Sequence, residues 1–266
     1  MPETLADPLF TAVEAPEFTD RHLAALAAGT VAAVRVPGFL DPAACESALA
    51  AMDRLPTGDY DPARVPTPIV RFGPALNDYR KPDGVLDGDR YWLAAEAARM
   101  AWQHAGLRPD PIAVSLARLG SAWGAAVSPA TIGGRPAFGG TLREINNGAL
   151  IHFDDINREF PGGVFDQNVV AQLAFNVWVA VPQSGGITSV WRRRWEPSDE
   201  QVRQAYGFLP STVAGRQSVS TALELGDGLL FNPANFHAVD PNPGDRRIAF
   251  AFFLGLTTTG QLIFWS

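Results

Sequence analysis

Val169-Val-Ala-Gln-Leu-Ala-Phe-Asn-Val-Trp-Val-Ala-Val181 is the stretch on which the fold turns. Successive side chains of a strand point to opposite faces. One face of this run is therefore Val169, Ala171, Leu173, Phe175, Val177, Val179 and Val181, all apolar. The other carries Gln172, Asn176 and Trp178. A strand with a core on one side and amides plus an aromatic on the other suits the wall of a ligand-lined barrel. On this pattern Asn176 and Gln172 are candidate ligand contacts, since an amide both donates and accepts. Downstream of Pro111 the sequence reads as short β-like runs between Gly, Pro and Asn, which suits a double-sheet jelly roll of the cupin kind.

Upstream the pattern is mainly helical. Asp20 to Ala28 and Asp41 to Leu55 are expected helices flanking a short strand, Val31 to Val36. Asp41-Pro42 is a strong helix start, with Asp accepting free amides and Pro at the first helical position. Cys45, Ala48, Leu49, Met52 and Leu55 then form an apolar stripe at helical spacing, which makes Cys45 a core residue. Asp89 to Ala105 is expected to be a third helix, packing through Trp92 or Leu93, Ala97 and Met100, with His104 partly buried and His22 exposed on the first helix. Between them, Pro56 to Gly88 is a proline-rich loop whose extended piece Ile69-Val-Arg71-Phe72 can bring Arg71 to a pocket. The expected architecture is one domain, mainly β with helical N-terminal support: 1–110 as helices and Pro-rich loop, 111–266 as a double-stranded β-helix (jelly-roll, cupin-like) core.

Within that core, Leu150-Ile-His-Phe-Asp154 places His152 and Asp154 two apart, on one strand face, where they can grip one ion together. Phe231-Asn-Pro-Ala-Asn-Phe-His237 supplies a second histidine from a distant strand. Two histidines and one carboxylate with open positions are the ligand set of non-haem iron(II). Arg246 and Arg247 open the strand Ile248-Ala-Phe-Ala-Phe-Phe-Leu254, where a guanidinium can clamp a carboxylate with two parallel hydrogen bonds.

In these residues, in Gly226-Asp227 ahead of the second histidine and in Gly244-Asp-Arg-Arg247 after it, the chain resembles the iron(II)- and 2-oxoglutarate-dependent dioxygenases. The resemblance implies His152, Asp154 and His237 as iron ligands and catalytic centre, iron(II) and 2-oxoglutarate as cofactors, and molecular oxygen with a small molecule as substrates. Arg247 is then the expected clamp for the far carboxylate of 2-oxoglutarate. It shares a face with Ala249 and Ala251, which leave room for a ligand, whereas Arg246 shares one with Ile248, Phe250 and Phe252. Asn176 is the further cofactor contact. Part of the chain also resembles a subset acting on free amino acids, which implies Asp155 at the substrate amine and Arg71 at its carboxylate. The aspartate in the triplet argues against halogenation, which needs that coordination site open. The expected reaction is hydroxylation of a free amino acid or natural-product intermediate. A cupin that does not use 2-oxoglutarate and a protein-directed hydroxylase are the alternatives.

Composition narrows the partners. A formal charge of −7 and a pI near 5.1 argue against a nucleic-acid or anionic-membrane binder. With 47% apolar residues the 266-residue chain can build a substantial core. One cysteine cannot form an internal disulfide, and Met-Pro-Glu-Thr-Leu-Ala-Asp lacks a signal-peptide pattern, so a cytoplasmic protein is expected. Trp191-Arg-Arg-Arg-Trp195 reads as a solvated charge run. No Gly-Lys-Ser/Thr phosphate loop and no nucleophile elbow is present.

Overall fold

The computed structural model describes residues 6–242 and 244–266; the opening residues Met1 to Leu5, on which the leader expectation partly rests, lie outside them. The long strand Val169–Ala180 is the centre of the larger of two sheets. It pairs antiparallel with Gly228–Phe231 on one side and with Ile248–Thr257 on the other. Ala33–Val36 extends this sheet beyond Gly228–Phe231, and Thr141–Glu144 followed by Val70–Phe72 extends it beyond Ile248–Thr257. The smaller sheet runs Gly207–Phe208, Ala149–His152, Asn235–Val239, Thr188–Arg194, Ser218–Thr221 in its main part. From Thr141 onward the chain repeatedly crosses from one sheet to the other, so each strand of the pair of histidine segments sits opposite the long strand. The protein is mainly β with helices on one side.

The predicted alternation of the long strand is realised in burial. Leu173, Phe175, Val177 and Val179 are buried in the main core, where Phe175 meets Phe39 and Phe252 edge-on or tilted, with ring centroids 5.2 and 4.8 Å away. The opposite face, Ala174, Asn176 and Trp178, looks into the space between the sheets. Helices Asp20–Ala28 and Pro42–Met52 cover the core face. Thr19 and Asp41 cap them by accepting His22 N–H and Ala44 N–H. Cys45 is fully buried, as its place in the stripe predicts.

Two helical expectations need correction. Pro111–Trp123 is a helix, not the start of the β region. Asp110 caps it by accepting Ile112 N–H, the same device as Asp41-Pro42. Helix Gly88–Ala105 packs through Tyr91, Ala95, Ala98 and Trp102, with the expected Trp92 partly buried against the core, while Leu93, Ala97 and Met100 are exposed. The buried row is fixed by Tyr91, whose hydroxyl accepts Phe138 N–H at 2.9 Å. His104 on this helix is exposed, and His22 is half-buried. No helix among the described residues is long and apolar enough to cross a membrane.

Candidate active site

His152 ends strand Ala149–His152, and His237 lies in Asn235–Val239; the two strands pair with these histidines in register. Their rings approach to 4.1 Å between centroids. Nδ1 of His152 donates to the Leu150 carbonyl at 2.6 Å, and Nδ1 of His237 to the Asn235 carbonyl at 3.0 Å. Because a carbonyl only accepts, each Nδ1 carries a proton, which leaves each Nε2 as the nitrogen turned toward Asp154. Asp154 lies just past the strand end, where its backbone N–H donates to the Pro233 carbonyl at 2.9 Å, tying it to the turn before the second histidine. Its Oδ2 is 3.4 Å from Nε2 of His237 and 3.9 Å from Nε2 of His152. The intervening Phe153 turns to the other face and packs on Phe208 and Phe236.

One ligand atom from each of the three residues lies within 4.8 Å of the others, a spacing open to a single ion. The protonation states agree with such a donor set. Burial, with the neighbouring His237, lowers His152 to about 4. Burial alone would raise Asp154, but contact with His237 and the charges of the two histidines and Arg143 hold it at about 2. At neutral pH the site offers a neutral imidazole at His152 and a carboxylate, the states a metal needs.

Behind the triad is a cavity of about 170 Å³ between the sheets. Trp178, Phe231, Ala249 and Ala251 give it apolar walls, and Asn176, Arg143, Thr188 and Arg247 give it polar ones. Arg247 is only 2% exposed. Its Nε donates to the Gly186 carbonyl at 2.9 Å and Nη2 to Thr188 Oγ1 at 3.0 Å, yet no carboxylate faces it among the described residues. Burial pushes its pKa down to about 10. A buried cation held by neutral acceptors alone is ready for an anionic ligand. Arg246 points the other way, into an exposed cluster with Glu144 and Asp53. Outside the triad the cavity meets a wider polar vestibule of about 510 Å³, bordered by Arg64, Arg80, Arg158, Glu159 and Trp195.

Three sequence expectations fare differently. Asn176 lines the cavity, but Gln172 is taken up by the fold, accepting Ile156 N–H at 2.8 Å. Asp155, expected at the substrate, caps the short helix Ile156–Glu159 by accepting Asn157 N–H, and does not line the cavity. Arg71, expected as a carboxylate clamp, is committed to Asp78 and the Gly73 carbonyl and stacks on Tyr60. In the arginine run, Arg192 pairs with Asp7 and Arg193 with Asp199, away from the cavity. Sequence reasoning did not single out Arg143 and Glu159, both at the cavity; no periodicity marks them, because each reaches it through tertiary packing.

No family model matches the chain. It is 55% identical over 258 residues to L-gamma-glutamyl-L-propargylglycine hydroxylase of Streptantibioticus cattleyicolor, covering 97% of this chain and 96% of that one. The chain belongs to the iron(II)- and 2-oxoglutarate-dependent dioxygenases. This dioxygenase is also 32% identical over 130 residues, 46% of its length, to leucinostatins biosynthesis cluster protein S of Purpureocillium lilacinum. Its fold is that of an N-substituted L-amino acid dioxygenase from Burkholderia ambifaria, with a TM-score of 0.64 at 15% identity, covering 93% of this chain and 91% of that one. The enzyme therefore uses iron(II) and 2-oxoglutarate to oxidise a small molecule with molecular oxygen.

Proposed function

We propose that this dioxygenase hydroxylates an aliphatic amino acid residue carried in amide linkage, with a γ-glutamyl dipeptide as the substrate class, rather than a free amino acid. The observation that carries this reading is the 55% identity sustained over 97% of the chain to a hydroxylase of such a dipeptide. The division of the site into a tight inner cavity and a wider charged vestibule suits a substrate whose reacting residue sits inside and whose acyl group extends outward. The same reading takes the two sheets as a double-stranded β-helix and the whole chain as one domain.

In this assignment His152, Asp154 and His237 hold the iron, and Arg247 with Asn176 holds 2-oxoglutarate. The bound pair supplies the oxidising power, converting 2-oxoglutarate to succinate and carbon dioxide as the substrate C–H bond is hydroxylated. The chain supplies placement. Arg247 receives the far carboxylate in a dry pocket, where a charge-assisted hydrogen bond is stronger than in water. Trp178, whose ring lies 5.4 Å under the Arg247 guanidinium, and Phe231, 5.0 Å from the His237 ring, keep water from the reacting centre.

The test is turnover with iron(II), 2-oxoglutarate and oxygen on matched pairs of γ-glutamyl dipeptides and their free amino acids. The reading expects a product 16 mass units heavier, with stoichiometric succinate, from dipeptides carrying aliphatic residues. Equal or faster hydroxylation of the free amino acids would reject it.

A further inference from the structure

Arg143 and the acid Glu159 reach into the same space, and among the described residues neither makes a direct salt bridge: Arg143 is felt by Asp78 and Asp154, and Glu159 by Arg80 and Arg64, only through space. Arg143 lies on strand Thr141–Glu144, half-buried, with its Nε donating to Thr141 Oγ1 at 3.2 Å. Directly across the sheet from it is Arg71. Like charges side by side on a sheet repel, and one acid is at hand for both. That acid, Asp78, is taken by Arg71 and by Arg64. Arg143 is left beside His152 and Asp154, and among the described residues its terminal nitrogens make no hydrogen bond.

Glu159 ends the short helix Ile156–Glu159 and borders both the inner cavity and the vestibule, so it stands at the throat between them. Arg80 is near, but its hydrogen bond goes to the Glu159 backbone carbonyl, at 3.1 Å. Among the described residues the Glu159 carboxylate itself accepts no hydrogen bond. Burial, together with the charge of Asp154, pushes it up to about 8. A cationic group entering the throat would satisfy it.

We propose that Arg143 and Glu159 are the pair that reads the substrate's charges: the guanidinium binds the carboxylate of the residue being hydroxylated, and the carboxylate binds the substrate ammonium farther out. The order follows from their places, since Arg143 borders the inner cavity alone and Glu159 also faces the vestibule. A γ-glutamyl dipeptide presents its groups in this order, with the C-terminal carboxylate on the reacting residue and the ammonium at the far end of the glutamyl chain. The assignment rests on the γ-glutamyl reading for that geometry. Both residues are specificity determinants, acting by charge-assisted contacts that exist only with substrate bound.

The experiment is calorimetric binding, without oxygen, to the protein loaded with iron(II) and 2-oxoglutarate. Four ligands are compared: a γ-glutamyl dipeptide, its C-terminal amide, its glutaryl analogue lacking the ammonium, and the free amino acid. Wild type should prefer the dipeptide to the amide and to the glutaryl analogue by about 10- to 100-fold each, the scale of one charge-assisted contact. Arg143→Gln should abolish the first preference and keep the second. Glu159→Gln should do the reverse. Affinity for 2-oxoglutarate, read by its iron chelate absorption, should shift less than about 3-fold in both, below the loss expected of a lost hydrogen bond. If both variants retain both preferences, the pair is overturned with the γ-glutamyl reading intact. If wild type binds the free amino acid and not the dipeptide, that reading falls, and the pair is judged on the amino acid with its amide and des-amino analogues. Loss of 2-oxoglutarate affinity in Arg143→Gln reassigns Arg143 to the cofactor, and no binding of any ligand to wild type overturns both.

Discussion

Arg247 is a guanidinium kept where charge is costly, with only a carbonyl and a hydroxyl for company. Removing it should cost a cofactor contact rather than stability. Arg247→Ala is expected to weaken 2-oxoglutarate binding by about 100-fold or more, the equivalent of two charge-assisted hydrogen bonds. An anaerobic titration of the iron chelate band measures this directly, and an unchanged midpoint would remove Arg247 from the cofactor site. Arg246→Ala is the matched control, breaking an exposed cluster worth about 1 kcal/mol or less and leaving the titration alone. Glu159 makes a pH prediction. Its folded pKa, about 8, lies above the ordinary 4.5, so the folded state holds a proton that the unfolded chain releases between these values. The resulting penalty is absent below pH 4.5, grows as pH rises and is complete above 8. Glu159→Gln should therefore stabilise the metal-free protein at pH 8.5 by about 2 kcal/mol or more and leave it unchanged at pH 4. Thermal melts of the two proteins at the two pH values decide it, and equal melting at pH 8.5 would mean the carboxylate is already compensated.

The turn Gly185-Gly186 and the helix Ile156–Glu159 are small elements that aim Arg247 and Glu159, the residues proposed to bind. Gly186 has φ +65°, and a Cβ there would come within 2.9 Å of Arg247 Cδ and 3.0 Å of Pro182 Cγ. Its carbonyl also accepts from Arg247. Gly186→Ala should then displace the guanidinium: a rise of about 10-fold or more in the 2-oxoglutarate concentration for half-saturation, with iron binding kept, is the expected signature of a lost charged hydrogen bond. An unaltered 2-oxoglutarate titration would show that the turn yields instead. At the other element, Asp155→Ala removes the cap and should cost about 1 kcal/mol. Legibility at this scale follows the kind of signal. The alternation of Val169–Ala180 and the Asp41-Pro42 start are local, and they could be read. Asp110-Pro111 carries the same start signal, but the short runs between Gly, Pro and Asn that follow Pro111 set the reading of the whole region as β. Gly120 is there for close approach, since a Cβ would lie 3.1 Å from the Ala125 carbonyl. The face of helix Gly88–Ala105 was set about one position off, around Trp92 or Leu93, because the burial of Tyr91 depends on a hydroxyl meeting Phe138, far away in the chain.

At the scale of the molecule, the site's backing is shared between both ends of the chain. The two histidines, the aspartate and Arg247, which the fold brings to one cavity, could be picked out because they match a known family's motif in order. The sequence puts Arg71 at a substrate carboxylate, wrongly, because whether an arginine is free depends on which acid folding brings to it, here Asp78. The same non-locality bears on the first third of the chain. Ala33–Val36 is hydrogen-bonded to Gly228–Phe231, which in turn pairs with Val169–Ala180. Phe18 and Phe39 close on Phe175 with ring centroids 6.1 and 5.2 Å away, and helices Asp20–Ala28 and Pro42–Met52 lie over the same face. A fragment of residues 111–266 would keep His152, Asp154, His237 and Arg247 but bare Leu173, Phe175, Val177, Val179 and Phe252 to water. Each uncovered large side chain forfeits about 1.5 to 3 kcal/mol, and a domain is stable by only about 5 to 15. The five together come to about 7.5 to 15 kcal/mol, as large as the whole margin. The fragment should therefore bind a hydrophobic dye, lack near-ultraviolet dichroism and form no 2-oxoglutarate chelate band, whereas a cooperative melt would show that the N-terminal third is an accessory to an independent core.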